Sequence, residues 1–100
     1  MIIYNITFNV NYPVETDWLT YIKQTHIPEI LATELPLDVK LLRLLTEIEN
    51  EGSTYTTQYS FLTMEDFLTY QTLHHDRFQQ KHHQMFKGQY VSFQTLLEEA

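Results

Sequence analysis

From Ile2 to Val10 the chain alternates, with Ile2, Tyr4, Ile6, Phe8 and Val10 on one side and Asn5, Thr7 and Asn9 on the other. That period of two is the pattern of a half-buried β-strand. Asn11, Tyr12 and Pro13 break it, and Glu15 and Asp17 then fall in the first turn of a helix, where carboxylates meet the positive end of the helix dipole. Trp18, Leu19, Ile22 and Ile30 share one face of this helix, which is expected to run to about Glu34. Pro28 has no amide to donate and crowds the carbonyl one turn back, so a kink or restart is expected near His26–Pro28.

The leucine-rich stretch Val39 to Glu49 reads locally as helix or strand. The turn signal Glu49, Asn50, Glu51, Gly52, Ser53 and the β-branched, aromatic run TYTTQYSFL that follows make it the first arm of a hairpin. Thr63 ahead of Met64, Glu65 and Asp66 is a helix cap with an acidic first turn, and no Gly or Pro interrupts the chain from there to Phe86. Asp76 is placed to restart this helix partway along. Gly88 ends it, and Gln89 to Leu97 alternates as a last strand. The order β-α-β-β-α-β predicts an α+β, ferredoxin-like sandwich, a four-stranded antiparallel sheet with two helices on one face, in a single domain covering residues 1–100. The first and third strands are central. Their apolar sides meet the helices, with Tyr55, Tyr59 and Phe61 beside the first strand, and Asn5, Thr7, Asn9, Thr56, Gln58 and Ser60 make the opposite face polar.

Composition narrows the partners. Six Lys+Arg stand against 13 Asp+Glu, a net charge of −7, which disfavours nucleic-acid backbones and anionic membrane surfaces. With no cysteine, disulfides, thiolate metal sites and thiol catalysis are excluded. A chain start MIIYNITFNV without a basic segment ahead of an apolar stretch leaves a cytoplasmic protein as the expectation.

The unusual count is five histidines in 100 residues, four of them on the second helix as His74–His75 and His82–His83. His75 and His82 are seven apart, about 10 Å along a helix axis, and cannot share one metal ion unaided. Steps of 100° put Met64, Phe67, Leu68, Phe78, Met85 and Phe86 on one stripe with Gln71, His75 and His82 inside it, His74 at its edge and His83 facing solvent. On the first helix His26 sits in the middle of the apolar face. If the helices lie side by side, His26 and His82 converge with a tyrosine such as Tyr4 or Tyr59, a set able to accept and donate protons near neutral pH. The plainer reading makes these histidines hydrogen-bonded polar groups at the edge of the core, His26 bonding to the chain at the proline kink. Arg43, among the leucines of an edge strand, reads as an exposed charge, and no phosphate loop, GxSxG elbow or HExxH is present.

The string THIPEILAT from Thr25 to Thr33, the LLRLL of Leu41 to Leu45, Gln58-Tyr59, His82 four residues before Phe86 and the closing VSFQTLLE of Val91 to Glu98 resemble a small bacterial family known only as a domain of unknown function. Glu34 stands where that pattern has a glycine, and Gln94 where its last strand often has an arginine. The family is similar in fold to the dimeric α/β-barrel proteins, which include cofactor-independent monooxygenases of aromatic substrates, small isomerases and haem-degrading enzymes. The resemblance implies a homodimer with a pocket in each subunit between sheet and helices, but no reaction. His26, Gln58, Tyr59 and His82 are the family-pattern residues, while His75 rests on periodicity alone.

Two functions follow. The first is a small-molecule site in the helix–sheet cleft, with His26 and His82 as polar contacts, Tyr4, Trp18, Tyr59 and Phe78 as aromatic walls and Gln58 and His75 as further contacts, requiring no cofactor. It covers a ligand-binding domain or a cofactor-independent monooxygenase or isomerase. The second is a non-enzymatic homodimeric protein–protein interaction module, which the lack of a nucleophile, metal cluster or cofactor motif favours. A divalent-metal or haem site through the histidines would need ligands from both helices or both subunits.

Overall fold

The computed structural model describes residues 1–46 and 52–100; the distal part of the leucine-rich arm, the acidic run Glu47, Glu49 and Glu51 and Asn50 of the expected turn lie outside the described residues, while Gly52 and Ser53, also expected in that turn, already belong to a strand. Four strands, β1 (Ile2–Asn11), β2 (Asp38–Arg43), β3 (Gly52–Phe61) and β4 (Tyr90–Glu98), form one antiparallel sheet in the order β2-β3-β1-β4. Two helices connect them. Helix α1, residues 15–31, consists of an α-helical stretch Glu15–Tyr21, a π-helical turn Ile22–His26 and a second α-helical stretch Ile27–Leu31. Helix α2, residues 64–86, repeats the plan, with α-helical Met64–Tyr70, a π-helical turn Gln71–His75 and α-helical Asp76–Phe86.

β1 and β3 are central, in the register Tyr4 opposite Tyr59, Ile6 opposite Thr57 and Phe8 opposite Tyr55. Strict alternation buries Ile2, Tyr4, Ile6, Phe8 and Val10 against the helices, because successive side chains of a strand point to opposite faces. Trp18, Ile22 and Ile30 of α1 and Phe67, Tyr70, Phe78 and Phe86 of α2 close the core from above. Thr63 caps α2, its hydroxyl accepting the Asp66 amide at 3.1 Å, which satisfies one of the free donors of the first turn.

The 100° stripe fails in α2. Met64, Leu68, Gln71 and Met85, placed inward by uniform steps, are exposed. The π-helical turn is the reason: it inserts one residue, so the buried face runs Phe67, Tyr70 and then, eight positions on, Phe78, His82 and Phe86, a phase that constant α-helical steps do not follow. In α1 the proline effect is as expected. The Ile27 amide reaches back five residues to the Ile22 carbonyl, and the α-helix restarts at Ile27, just ahead of Pro28, which has no amide to offer Gln24.

Helix α1 ends three residues earlier than expected, at Leu31. Glu34 then adopts φ 62°, and its amide bonds the Leu31 carbonyl at 3.0 Å. That left-handed conformation strains any side chain with a Cβ and is free for glycine, so the glycine that the resemblance leads one to expect at this position has a physical reason. Glu34→Gly is expected to stabilise the fold by about 1 kcal/mol, raising the melting temperature by roughly 4–8 °C in a thermal melt followed by circular dichroism; an unchanged or lowered midpoint contradicts the strain.

Candidate functional site

Two polar clusters lie in the layer between sheet and helices. The first joins the two helices. Trp18, in the first α-helical stretch of α1, donates its indole Nε1–H to His82 Nε2 at 2.8 Å, and both side chains are almost fully buried, at 0% and 1% exposure. His26, the last residue of the α1 π-helical turn, sets its ring 5.6 Å from that of His82. Tyr21 packs on both, 5.6 Å from His26 and 6.1 Å from His82. Phe8, Phe86 and Tyr90 complete the surround of His82, Tyr90 edge-on at 4.5 Å, while Phe78 meets His26 edge-on.

The Trp18 bond decides the state of His82. An indole N–H can only donate, so Nε2 is the acceptor and the neutral ring carries its proton on Nδ1. That Nδ1 is buried without a partner, as are His26 Nδ1 and the Tyr21 hydroxyl. Burial, reinforced by the nearby Lys81 ammonium, lowers the His26 pKa to about 4. Burial also lowers His82 to about 4, with the His26 and His83 rings adding to the effect. Both imidazoles are therefore neutral at physiological pH. Lys81 is held beside them by an ion pair with Glu29 at 2.5 Å, which ties α2 to α1.

The second cluster centres on His75, the last residue of the α2 π-helical turn. The Tyr4 hydroxyl meets His75 Nε2 at 2.8 Å, and the far ring nitrogen, Nδ1, lies 3.6 Å from the exposed Asp76 carboxylate. Burial pushes the Tyr4 phenol up to about 12, so it stays protonated and donates the bond. Tyr59, its cross-strand neighbour, buries a hydroxyl without a hydrogen-bond partner, and burial raises its pKa as well.

The expected site residues thus divide. Trp18, His26 and His82 come together; Tyr4, Tyr59 and His75 form a second group in the same layer. The tyrosine that joins the two histidines is Tyr21, not Tyr4 or Tyr59. Tyr21 precedes His26 by five residues, the reach of one π-helical turn, a relation α-helical spacing hides. Gln58 follows the strand's alternation to the open face, opposite Asn5 and Lys40. On the outer side of the first cluster, Gln79, Gln80, His83, Gln84 and Tyr90 line a groove of about 380 Å³. Tyr90 bonds His83 Nδ1 at 2.9 Å and separates this groove from the His82 ring. Among the described residues no three His, Cys, Asp or Glu side chains are grouped to hold a metal ion, and no helix is long and apolar enough to cross a membrane.

The architecture is that of the ferredoxin-like α+β proteins, and solved structures of similar fold include several described as monooxygenases or as dimeric. SnoaB of Streptomyces nogalater, a cofactor-independent oxygenase, superposes with a TM-score of 0.69 at 11% identity, over 98% of this chain and 92% of that one. An ethyl tert-butyl ether D (EthD) family protein of Bacillus halodurans gives 0.71 at 16% identity over 100% of both chains. A dimeric ferredoxin-like protein from an uncultured marine organism gives 0.71 at 12% identity, over 99% of this chain and 96% of that one. The chain itself belongs to the family described as a domain of unknown function (DUF4286), which matches residues 1–100. No curated protein matches it.

The buried histidines make stability pH-dependent. Each imidazole is neutral in the fold but takes up a proton below about 6.5 once unfolded. The stability is complete above pH 6.5 and is lost as the pH falls toward 4, by on the order of 3 kcal/mol for each histidine. Urea unfolding at pH 7, 5 and 4 measures this; a midpoint independent of pH over that range contradicts neutral burial.

Proposed function

We propose that residues 1–100 form one domain that works in the cytoplasm as a homodimer, binding a small planar molecule in the layer between helices and sheet. The observation that carries the proposal is the His26–His82 pair: two neutral imidazoles, buried among aromatic rings, each with an Nδ1 that no protein group satisfies. An unpaired buried polar group costs about 1–3 kcal/mol, and a ligand oxygen between the two rings removes that penalty. His82 Nδ1–H donates to it. His26 accepts from it when its own proton is on Nε2. A phenol or enol oxygen suits both roles, and Trp18, Tyr21, Phe78 and Phe86 supply walls for a flat ring. The groove beside Tyr90 is the access route, opened by rotation of that ring. Tyr4, Tyr59 and His75 extend the polar lining farther along the same layer.

A neutral His26 that accepts a hydrogen bond from a phenol or enol, with His82 donating to the same oxygen, orients that oxygen and steadies the charge that develops on it when dioxygen or a proton adds at the ring or enol carbon, and cofactor-independent oxygenation and keto–enol isomerisation are the reactions we assign to the site. The solved structure of a cofactor-independent oxygenase with this fold supports the class. Homodimerisation is supported by the dimeric protein of similar fold, and the net charge of −7 argues against a nucleic-acid partner.

One observation favours a second reading. The rings of Tyr21, His26, His82 and Phe86 lie directly on one another, at 5.6–6.1 Å between centroids, as in a filled core. In that reading the domain is a non-enzymatic interaction module. Native mass spectrometry of the protein purified from cytoplasm separates the two. The ligand reading predicts a dimer carrying an added small mass, with affinity for that molecule falling roughly tenfold or more in His26→Gln and His82→Gln. A bare dimer, or a ligand indifferent to both substitutions, favours the interaction module.

A further inference from the structure

Helices α1 and α2 meet along a seam that carries charge as well as aromatic rings. His26 and Glu29 are three residues apart on α1, and Phe78 and Lys81 are three apart on α2, so each pair lies on one side of its helix, about 4.5 Å apart along the axis. The inner members touch, Phe78 meeting the His26 ring edge-on at 6.3 Å between centroids. The outer members touch as well, Lys81 Nζ donating to both oxygens of Glu29 at 2.5 and 3.0 Å. The ion pair is the solvent side of the seam, with the Lys81 and Glu29 side chains 47% and 38% exposed. A pair so exposed adds little to stability. What it adds is charge beside the site. Behind burial, the Lys81 ammonium is the second cause of the low His26 pKa, and the Glu29 carboxylate is the second cause of the raised Tyr21 pKa.

The patch is cationic in an acidic protein. Arg77, one turn before Lys81 on the same side of α2, sets its guanidinium 4.4 Å from the centre of the Phe78 ring and bonds His74 Nδ1. Among the described residues Arg77 pairs with no carboxylate; its neighbour Asp76 lies against His75 instead, at 3.6 Å. Two of the chain's six Lys and Arg residues, in a protein of net charge −7, therefore stand on this side of α2 with one paired carboxylate, Glu29. An ammonium has three protons to give and no lone pair, so it recognises an anion as a point charge. Glu29 shows where a carboxylate sits on Lys81, one step outward from the His26–Phe78 contact.

We propose that the molecule bound in the helix layer is an anion, an aromatic or enolic carboxylic acid whose hydroxyl lies between His26 and His82 and whose carboxylate displaces Glu29 from Lys81. This inference rests on the small-molecule reading of the His26–His82 pair and adds to it the class of ligand. A single aromatic ring with hydroxyl and carboxylate at opposite ends spans the step from the buried contact to the ion pair. Glu29, already half in solvent, turns outward when it is replaced, and Arg77 adds to the attraction. The same two cations turn away positively charged molecules, which the net charge alone would draw in.

Isothermal titration calorimetry of the full chain at pH 7 compares 4-hydroxybenzoate with 4-hydroxybenzamide, which shares its shape and hydroxyl but has no charge. The wild type is expected to bind the acid roughly tenfold or more tightly than the amide, and added salt is expected to narrow that preference. Lys81→Met keeps the stem and removes the charge; it is expected to abolish the preference and leave the affinity for the amide unchanged. Glu29→Gln, which removes the competing carboxylate, is expected to tighten the acid several-fold. Lys40→Met, distant on β2, is expected to keep the preference, and His82→Gln to weaken both ligands. Equal binding of acid and amide by the wild type overturns the anionic class while the His26–His82 site stands. So does a preference that survives Lys81→Met or is lost equally in Lys40→Met. Binding of neither probe, or binding indifferent to His82→Gln, overturns the small-molecule reading itself and this inference with it.

Discussion

The hydrogen bond from Trp18 to His82 is the constraint around which the helix layer is arranged. A buried imidazole is tolerable when its polar atoms are paired, and this bond pairs one of them with the other helix. It also settles which nitrogen carries the proton. From that follow the neutral state of His82 and the single orphan donor that it presents to the interior, while burial and the Lys81 ammonium keep His26, 5.6 Å away, neutral as well. The same contact joins helices that are otherwise linked across their outer side by the Lys81–Glu29 ion pair. Substituting Trp18 thus removes a core side chain, a tautomer lock and a helix–helix tie at once.

The π-helical turns are the second organising device. Each helix has one, and each ends on a histidine of the site layer, His26 in α1 and His75 in α2. A π-helical turn shifts the buried face by one residue, so the residues that follow it meet the sheet in a different phase from those before it. In α1 the cause is visible in the chain, since Pro28 withholds the amide that a regular turn needs. In α2 no proline or glycine marks the turn, and the burial of Phe67 and Tyr70 before it and of Phe78 after it defines the insertion.

That contrast explains what could be read from the sequence. Strand order and burial were legible because the alternation in β1 and β3 is uninterrupted, and a period of two leaves no ambiguity about face. The leucine-rich β2 was legible only through the turn signal behind it. His26 and His82 were recognisable as polar residues on apolar faces. Tyr21 was not, because its link to His26 runs through a five-residue turn, and Met64, Leu68, Gln71 and Met85 were misplaced because uniform 100° steps cross the α2 insertion. Gln58 and Tyr59 look like one motif in the chain, but as strand neighbours they face opposite sides of the sheet, Tyr59 toward the histidine layer and Gln58 toward the open face. The sequence pattern therefore reaches the fold and half of the site; the rest depends on helix phase.

The two faces of the sheet divide the chemistry between them: aromatic rings and neutral imidazoles under the helices, hydroxyls and amides on the other side. The chemistry of the helix layer stands on the protonation state of His82. A two-dimensional ¹⁵N–¹H spectrum of the histidine side chains at pH 7 reads it directly. The predicted result is a neutral His82 with its proton on Nδ1 and a non-protonated, hydrogen-bonded Nε2, together with a low-field Trp18 indole proton that shifts in His82→Gln. A protonated His82, or one carrying its proton on Nε2, contradicts this arrangement.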